Sequence, residues 1–260
     1  MRFILLTTLY NEIREHRINE YLYCIKKNLN NEYIDKIIIF FEKNDDKYNE
    51  ILTKLEALIS DNIIIEYINH RPTFNDFFQY ANTKLLNNNI IITNADIYYD
   101  ENKGLNLLTN IDLTDKFIVL TRYNKIAYPG YHQQQTGYII ETKEGKLKSQ
   151  FKTGCSIDSW IFKTPLKIDF RCHYRLGIVQ CDSSLNYQLI KSNNYKVYNP
   201  CLDIISIHEH KNWSPSNYNL VEDDITKKKI SRKKWMEMCK KRGDFFASIK
   251  FCRIKYVLEN

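Results

Sequence analysis

The chain contains 260 residues, of which 43% are hydrophobic and only seven are glycine and five are proline. This length supports a sizeable folded core, and the composition excludes an intrinsically disordered or collagen-like protein. The net charge is +7, but nine basic residues and one acidic residue lie between Lys227 and Arg242, so the rest of the chain is close to neutral. A basic tail on a neutral body is not the charge distribution of a nucleic-acid-binding domain, and we expect no nucleic acid partner.

Cysteine and hydropathy patterns indicate the compartment. Seven cysteines with no C-x-x-C pair disfavour a disulfide framework or a structural zinc site and predict buried thiols. The apolar start at residues 1–9 lacks a small-residue cleavage site and is typical of a first strand. No apolar run approaches the length of about 20 residues that a helix needs to cross a bilayer. We therefore expect a soluble, cytoplasmic protein.

Strand and helix patterns alternate through the first hundred residues. Apolar, β-branched runs predict strands at residues 3–9, 36–41, 63–68 and 90–93. Apolar residues at helical spacing predict a helix after each of the first three strands, and Thr73 is a favourable N-cap for the third helix. Such β-α-β alternation predicts an α/β fold with a mostly parallel sheet flanked by helices.

The remainder of the chain has shorter and less regular elements. A helix is predicted at residues 183–190, and strands are predicted at 117–120, 159–162, 196–198 and 203–207. The polar segment at residues 124–148 is long for a structureless connection, and loops of that length are usually functional. From residue 222 onward the pattern predicts a basic helical appendage.

The end of the fourth predicted strand carries the first candidate site residues. The apolar run at residues 90–93 fits a strand buried on both faces, and it is followed by Asn94 and Asp96. Because side chains alternate along a strand, we expect these two to point the same way. Ligands of open α/β sheets bind beyond the carboxyl ends of the strands, which makes Asp96 a candidate metal or phosphate-site residue. The alternative is that Asp96 only caps the turn after the strand.

Two common phosphate-binding motifs are missing from the sequence. No G-x-G-x-x-G follows the first strand, and no G-x-x-x-x-G-K-[ST] occurs anywhere. The turn after the first strand is instead Thr7-Thr8-Leu9-Tyr10-Asn11-Glu12, which contains no glycine. Dinucleotide oxidoreductases and Walker-type nucleotide hydrolases are therefore poorly supported.

The order of several polar segments is more specific than any one of them. In chain order they are the Thr-Thr-x-Tyr-Asn-Glu turn, Glu42, residues 71–76, Asn94-Ala95-Asp96, residues 154–162, residues 177–182 and His208-Glu209-His210. In this order, residues 1–212 resemble the GT-A-fold glycosyltransferases, close to the large family 2 group. The resemblance implies a domain at residues 1–221, with a nucleotide-sugar-binding half at 1–100 and an acceptor half at 101–221. The basic helical tail at 222–260 lies outside it.

The resemblance also implies a donor site for a nucleoside-diphosphate sugar. Asp96 would bind Mn²⁺ or Mg²⁺, which stabilises the charge of the leaving diphosphate. Asn94 stands where the family has the first aspartate of D-x-D, so His208 is the candidate for the missing ligand, and His210 shares its face if the strand extends that far. The residues implied to line the nucleotide-sugar pocket are Thr8, Tyr10, Glu12, Glu42, Arg71, Asp76, Asn94, Ala95, Asp96 and Arg122.

The same resemblance places Asp182 as the general base of an inverting transfer to a carbohydrate or glycolipid hydroxyl, with Asp158 as the second candidate. Each residue has a structural alternative. Asp182 precedes two serines at a predicted helix start and is also a favourable N-cap. Asp158 is alternatively a residue that only closes a turn, His208 and His210 are alternatively surface or satisfied polar residues, and Glu42 is alternatively a solvated strand end.

Two other functions remain open at this stage. Loss of the D-x-D charge at Asn94 is compatible with a non-catalytic nucleotide-sugar or glycan-binding protein on the same fold. A sugar-phosphate nucleotidylyltransferase shares the general sheet but normally carries a glycine-rich basic loop after strand one, which this chain lacks. The tail is either a helix packed on the body with a solvated basic face or a peripheral contact with anionic lipid at the inner membrane face.

Overall fold

The computed structural model describes residues 1–43, 50–58, 61–101, 104–124, 139–141, 147–149, 153–154, 156–178, 180–209, 220–222, 229–241 and 245–259. Most of the polar segment at residues 124–148 therefore lies outside the described residues, and so does His210.

Strands and helices alternate through the first part of the described chain, as the sequence predicts. The strands are β1 (Phe3–Tyr10), β2 (Ile34–Glu42), β3 (Ile63–Ile68), β4 (Asn89–Thr93), β5 (Ile97–Tyr99), β6 (Lys116–Thr121), β7 (Tyr123–Asn124), β8 (Ile139–Glu141), β9 (Leu147–Ser149), β10 (Thr153–Gly154), β11 (Ile157–Lys163), β12 (Lys196–Tyr198), β13 (Ser206–His208), β14 (Leu220–Glu222), β15 (Lys229–Ser231) and β16 (Ile249–Lys250). The helices are α1 (Glu15–Leu29), α2 (Glu50–Glu56), α3 (Phe74–Lys84), α4 (Cys181–Ser192), α5 (Arg232–Lys241) and α6 (Ile254–Glu259), with a 3-10 turn at Leu105–Leu108.

Seven strands form one sheet in the order β12-β6-β11-β4-β1-β2-β3. The first four strands of the chain are parallel to one another, whereas β11 is antiparallel to both of its neighbours, β4 and β6. The central strands are buried on both faces, which explains their unbroken apolar sequences. The predicted α/β class and mostly parallel sheet are confirmed.

Helices cover both faces of this sheet. On one face, α1 and α2 contribute Ile18, Ile25, Ile51 and Leu55 to a core with odd-numbered β1 residues. On the other face, residues of α3 and α4 pack with Leu6 and the strand β11. Helix α3 begins as predicted, because the Thr73 side chain and Asp76 form a capping box.

Two elements differ from the sequence-based prediction in ways that matter for the site. The expected strand at 203–207 begins only at Ser206, because the backbone N–H groups of Asp203 and Ile204 both donate to the Pro200 carbonyl and form a turn. Strand β5 is short and was not predicted. It pairs antiparallel with β13, which in turn runs parallel to β7.

The tail contains strands as well as the predicted helices, and its described residues pack on the body. Strand β16 pairs with β10, and Ile249 joins the core on the α3–α4 face. Val257 of α6 joins the core on the opposite face. The division of the chain at residue 221 remains a prediction. No helix of the described residues has the length and apolar character that crossing a bilayer requires.

The thiols follow the sequence-based expectation where they are described. Cys24, Cys172, Cys181, Cys201 and Cys239 are buried free cysteines, and Cys252 is half-buried and also free. Their burial in apolar surroundings makes them small core residues.

Candidate active site

The candidate residues lie at the point in the sheet where the order of the strands reverses. Strand β1 lies between β2 and β4, and both β1 and β4 end at the same edge of the sheet, at Tyr10 and Thr93. Such a switch point leaves a crevice outside the carboxyl ends of the two strands. The Asn94-Ala95-Asp96 segment follows directly and forms one side of it.

Asn94 and Asp96 do not point the same way, so that prediction is wrong. Strand β4 ends at Thr93, and the N–H of Ile97 donates to the Asn94 carbonyl at 3.2 Å, which closes a turn over residues 94–97. The strand alternation does not extend through this turn. The Asn94 side chain contacts Asp158, whereas the Asp96 side chain contacts Arg17 and His208.

Asp96 lies in a buried, charged cluster and does not cap the turn through its side chain. Its Oδ2 accepts a hydrogen bond from Arg17 Nη2 at 2.7 Å and lies 3.2 Å from His208 Nε2. The side chains of Arg17, Asp96 and His208 are 8%, 13% and 6% exposed. Burial alone would raise the pKa of the Asp96 carboxyl, but His208 and Arg17 hold it well below its usual range. Asp96 is therefore an anion.

The pairing of β13 with β5 explains how His208 reaches Asp96 across the sequence. His208 lies opposite Ile97 in the antiparallel register, and the N–H of Glu209 donates to the Asp96 carbonyl at 2.9 Å. The prediction that His208 lies beside Asp96 cannot come from local sequence, because it depends on this pairing of two distant three-residue strands.

Arg17 is a site residue that the sequence-based reasoning missed. It lies in the first part of α1, forms an ion pair with Glu20 and donates to the Tyr21 hydroxyl at 3.1 Å. A signal was available, because Arg17, Tyr21, Cys24 and Asn28 recur at helical spacing and all are buried. A cation on the buried stripe of a helix requires a buried anion, and Asp96 is that anion.

The Asp96–His208 pair has the donor chemistry of a divalent-cation site. Two neighbouring donors of one ion, each at about 2.1 Å, lie about 3 Å apart in an octahedral shell, and the two atoms here are 3.2 Å apart. Within the described ranges no third His, Cys, Asp or Glu side chain completes a ligand cluster. An ion bound by this pair would take its other ligands from substrate or water and would compete with Arg17 for the same Asp96 oxygen.

A second polar group links the ends of β4, β6 and β11. Asp158 Oδ1 accepts from Asn94 Nδ2 at 2.6 Å, and Asp158 Oδ2 accepts from Arg122 Nη1 at 2.8 Å. Asp158 is the second residue of β11 and is buried, so it does not close a turn, and that alternative is wrong.

Asp182 lies beside this group, at the start of α4. The helix begins at Cys181, two residues earlier than predicted, and its N-cap is Gln180 in a left-handed conformation (φ 66°). Asp182 is therefore inside the first turn and is not the N-cap. Its Oδ2 accepts from the backbone N–H of Ile157, and its Oδ1 accepts from Ser183 Oγ, both at 3.2 Å. Burial and the nearby Asp158 raise the pKa of the Asp182 carboxyl.

Arg71 faces the same crevice from the segment before α3. Its Nε donates to the Leu176 carbonyl at 3.1 Å, which fixes the guanidinium beside Gly177. Gly177 has a φ of 77°, and a Cβ there would lie 3.0 Å from Arg71 Nη2 and 3.9 Å from Asn94 Oδ1. Glycine at this position leaves Arg71 and Asn94 open to the crevice.

Tyr10 and Glu12 lie at the end of β1. The Tyr10 hydroxyl donates to Glu12 Oε2 at 2.8 Å and lies 3.3 Å from the Tyr21 hydroxyl, which Arg17 contacts. Burial raises the pKa of Glu12, but hydrogen bonds from Arg14 and Tyr10 outweigh burial and lower it to about 2. A continuous polar chain therefore runs from the β1 turn to Asp96.

Comparisons with known proteins agree with this arrangement at the level of the fold. No known protein-family profile and no curated protein sequence matches the chain. A structure of GalNAc-T7 with UDP, GalNAc and Mn²⁺ matches 81% of this chain and 43% of that one, at 13% identity and a TM-score of 0.51. The chain has the GT-A fold. The mannosyltransferase PcManGT from Pyrobaculum calidifontis, in complex with GDP-Man and Mn²⁺, matches 80% of this chain and 56% of that one, at 15% identity and a TM-score of 0.45.

The contacts of the described residues do not test the pocket role of four further residues. The Asp76 carboxylate accepts from the Thr73 N–H and hydroxyl, both at 2.8 Å, and lies 3.2 Å from His70. Glu42 ends β2 beside Tyr10, and Thr8 lies within β1. Ala95 packs at the edge of the core. The nucleotide-binding roles of Thr8, Glu42, Asp76 and Ala95 remain predictions.

Proposed function

We propose that this protein is an inverting, metal-dependent glycosyltransferase that moves a sugar from a nucleoside-diphosphate sugar to the hydroxyl of a carbohydrate or glycolipid. One observation carries the proposal. A carboxyl group with a raised pKa (Asp182) and a buried carboxylate–imidazole pair (Asp96 and His208) lie at the switch point of a GT-A sheet.

The donor half of the proposal rests on the charges at the crevice. Asp96 and His208 are the residues that would hold Mn²⁺ or Mg²⁺, and such an ion would neutralise a diphosphate leaving group. Arg71 presents its Nη2 beside Gly177, where a phosphate oxygen or base edge can accept from it. The Tyr10 hydroxyl contacts both Glu12 and Tyr21, and we propose that Tyr10 and Glu12 border the nucleotide.

The acceptor half rests on Asp182. In the proposed reaction the acceptor oxygen attacks the anomeric carbon while the bond from that carbon to the diphosphate oxygen breaks. Asp182 takes the proton of the acceptor hydroxyl, and the diphosphate leaves with the bonding electrons. A raised pKa suits this role, because it makes the carboxylate a stronger base. Asp158 suits it less, because its carboxylate is paired with the Arg122 guanidinium, whereas the hydrogen bonds to Asp182 come from neutral groups.

Two measurements test the proposal together. Thermal unfolding is measured with UDP-, GDP-, dTDP- and CDP-sugars, each with and without Mn²⁺. A ligand at 100 times its dissociation constant adds about 2.7 kcal/mol to the free energy of unfolding.

The second measurement is transfer activity. Asp182→Asn should still be stabilised by the donor but should lose transfer by about 10²- to 10⁴-fold. The exposed turn residue Asp61 provides a matched control as Asp61→Asn. Full transfer by Asp182→Asn would rule out its role as the base.

A non-catalytic nucleotide-sugar-binding protein is the second candidate. Asn94 favours it, since the charge of the first D-x-D residue is absent. It predicts donor-dependent stabilisation of the wild-type protein without hydrolysis or transfer under any acceptor condition. The absence of stabilisation by every nucleotide sugar would reject both candidates.

We also propose that helix α5 brings the protein to an anionic membrane surface, where a glycolipid acceptor would lie. Trp235 and Cys239 of α5 are buried against Ile178 and Phe246. The exposed basic residues of the same helix are Lys233, Lys234, Lys240 and Lys241. This arrangement leaves a cationic helix face available to anionic headgroups.

A further inference from the structure

Asn94 and Asp158 lie side by side where the antiparallel strands β4 and β11 stop pairing. Ser159 of β11 pairs with Thr93, the last residue of β4, and Asp158 and Asn94 are the neighbours of this last pair. Two further contacts fix this register, since Thr93 Oγ1 donates to the Asp158 carbonyl at 2.8 Å and the Asn94 N–H donates to it at 3.3 Å. Strand β11 thus holds the Asp158 carboxylate beside the side chain of Asn94.

The contact determines which way the Asn94 amide points. An ionised carboxylate only accepts hydrogen bonds, so Asp158 Oδ1 selects the Nδ2 group of Asn94, which lies 2.6 Å away. The Asn94 Oδ1 is then directed to the other side, toward the open space beside Gly177 and Arg71. The opposite amide orientation would place two oxygens at that short distance.

Arg122 holds Asp158 in this role. Its Nη1 donates to the second oxygen of Asp158 at 2.8 Å, and its side chain is only 17% exposed. This charge-assisted hydrogen bond holds the Asp158 carboxylate in place beside Asn94. An aspartate at position 94 would instead place two carboxylates in direct contact.

We propose that Asp158, on strand β11, is a positioning residue for the side chain of Asn94, which follows strand β4. Through Asp158, Asn94 presents a fixed acceptor oxygen to a hydroxyl group of the nucleotide donor. This inference rests on the proposed donor site. It assigns Asn94 a defined acceptor function and accounts for the amide at that position.

A charge exchange between the two strands tests this proposal. The probes are UDP, GDP, dTDP and CDP, each with Mn²⁺, and the dissociation constant is measured for whichever stabilises the wild-type protein. Asp158→Asn and Asn94→Asp should each weaken binding by about tenfold or more, because each loses a hydrogen bond to a charged group or its orientation. The double variant Asn94→Asp/Asp158→Asn restores one carboxylate and one amide and should return to within about threefold of wild type.

A second cycle remains informative if the Asn94→Asp variant does not fold. Because Asp158 acts through Asn94, Asn94→Ala and Asn94→Ala/Asp158→Asn should bind the probe equally, although Asp158→Asn alone weakens binding. Thermal unfolding without nucleotide is recorded for every variant. A merely structural pair would change unfolding temperatures and leave the dissociation constant of the folded protein unchanged, which would overturn the proposal.

The outcomes separate this inference from the proposed function. Binding by the wild-type protein without recovery in the double variant would overturn the Asp158 role alone. No stabilisation of the wild-type protein by any of the four nucleotides would overturn both the donor site and this inference.

Discussion

At the scale of single residues, the site combines two carboxyl groups in opposite electrostatic environments. Asp96 faces a guanidinium and an imidazole, which hold its pKa low and keep it ionised. Desolvation and the nearby Asp158 carboxylate raise the pKa of the half-buried Asp182. Such a separation of pKa values within one crevice supports the proposal that Asp96 binds an ion and Asp182 accepts a proton.

The raised pKa of Asp182 has a consequence for stability that is separate from activity. Its folded-state pKa lies above the ordinary value of 3.8, so loss of the proton at neutral pH costs stability. We expect Asp182→Asn to raise the unfolding temperature at pH 7. The difference should shrink as the pH falls through the raised pKa of Asp182 towards 3.8, because the folded wild-type protein then takes up the proton, and it should be largely lost below 3.8. Thermal unfolding from pH 7 to pH 3.5 checks this, with Asp61→Asn as the control.

A lower unfolding temperature for Asp182→Asn at pH 7 would contradict the expectation. It would mean that the hydrogen bonds from Ile157 and Ser183 to the carboxylate outweigh its burial and the repulsion from Asp158. The two results are therefore distinguishable without any substrate.

The sequence predicted the roles of residues whose partners are close in the chain. It did not predict the roles of residues whose partners are distant in the chain. Thr73 was predicted as a cap because its partner, Asp76, lies three residues away. Arg17 was missed because its partner, Asp96, lies 79 residues away and a single arginine in an amphipathic helix usually faces water. Asp96 itself was found because a buried strand ends beside it.

At the scale of elements, the α3 N-terminus illustrates how a predicted site residue can be explained by capping. The Asp76 carboxylate accepts from both the N–H and the hydroxyl of Thr73, and the Thr73 hydroxyl in turn accepts from the Asp76 N–H at 3.3 Å. This capping box satisfies backbone donors that a helix start leaves open. It also orients the loop that contains Arg71.

We expect Asp76→Ala and Thr73→Ala to have the same effect, because each removes half of one capping box. Each should lower the free energy of unfolding by about 1 kcal/mol and leave the donor dissociation constant of the folded protein nearly unchanged. Urea unfolding and nucleotide titration provide the two readouts. A rise in the dissociation constant for Asp76→Ala alone would show that Asp76 contacts the nucleotide, as the resemblance implies.

Strand prediction succeeded for the long apolar strands and for the short strand β12, and failed for the short strand β5. Strands β1 to β4 were anticipated because their apolar, β-branched runs are distinctive, and β11 was anticipated over residues 159–162. Strand β5 has three residues, Ile97–Tyr99, and its existence depends on pairing with β13. No periodicity can be read from three residues, so this pairing needed the structure, although the family resemblance had already implied that His208 lies near Asp96.

At the scale of the whole molecule, the basic tail is part of the body as well as a charged surface. Lys233 and Lys240 line an open depression of about 420 Å³ on α5 together with Met236 and Glu237. Removing the tail would take Ile249 and Val257 out of the two cores and expose the apolar residues that pack against them. Membrane binding is therefore better tested by changing surface charge than by truncation.

We expect Lys233→Glu/Lys240→Glu to weaken binding to vesicles containing phosphatidylserine by at least about 20-fold, since each lysine near an anionic surface contributes about 1 kcal/mol. Co-sedimentation at physiological ionic strength provides the measurement. Lys26→Glu/Lys84→Glu changes the same charge on exposed positions of α1 and α3 and should bind like wild type if the contact is specific to α5. Equal loss in both variants would indicate nonspecific attraction, and no loss in either would reject the membrane contact.

The contacts around α4 also join parts of the chain that the ribosome synthesises at different times. The Ala247 N–H donates to the Ser183 carbonyl at 2.9 Å, beside Asp182, and the Cys252 N–H donates to the Asn199 carbonyl at 2.9 Å. Ribosomes release the chain from its N-terminus at about 5–20 residues per second, so the α4 end stays unsupported for several seconds after Asp182 has emerged. A messenger RNA truncated before the codon for Ile249 would then yield a polypeptide that contains every proposed site residue. That polypeptide would lack the segment that packs against them.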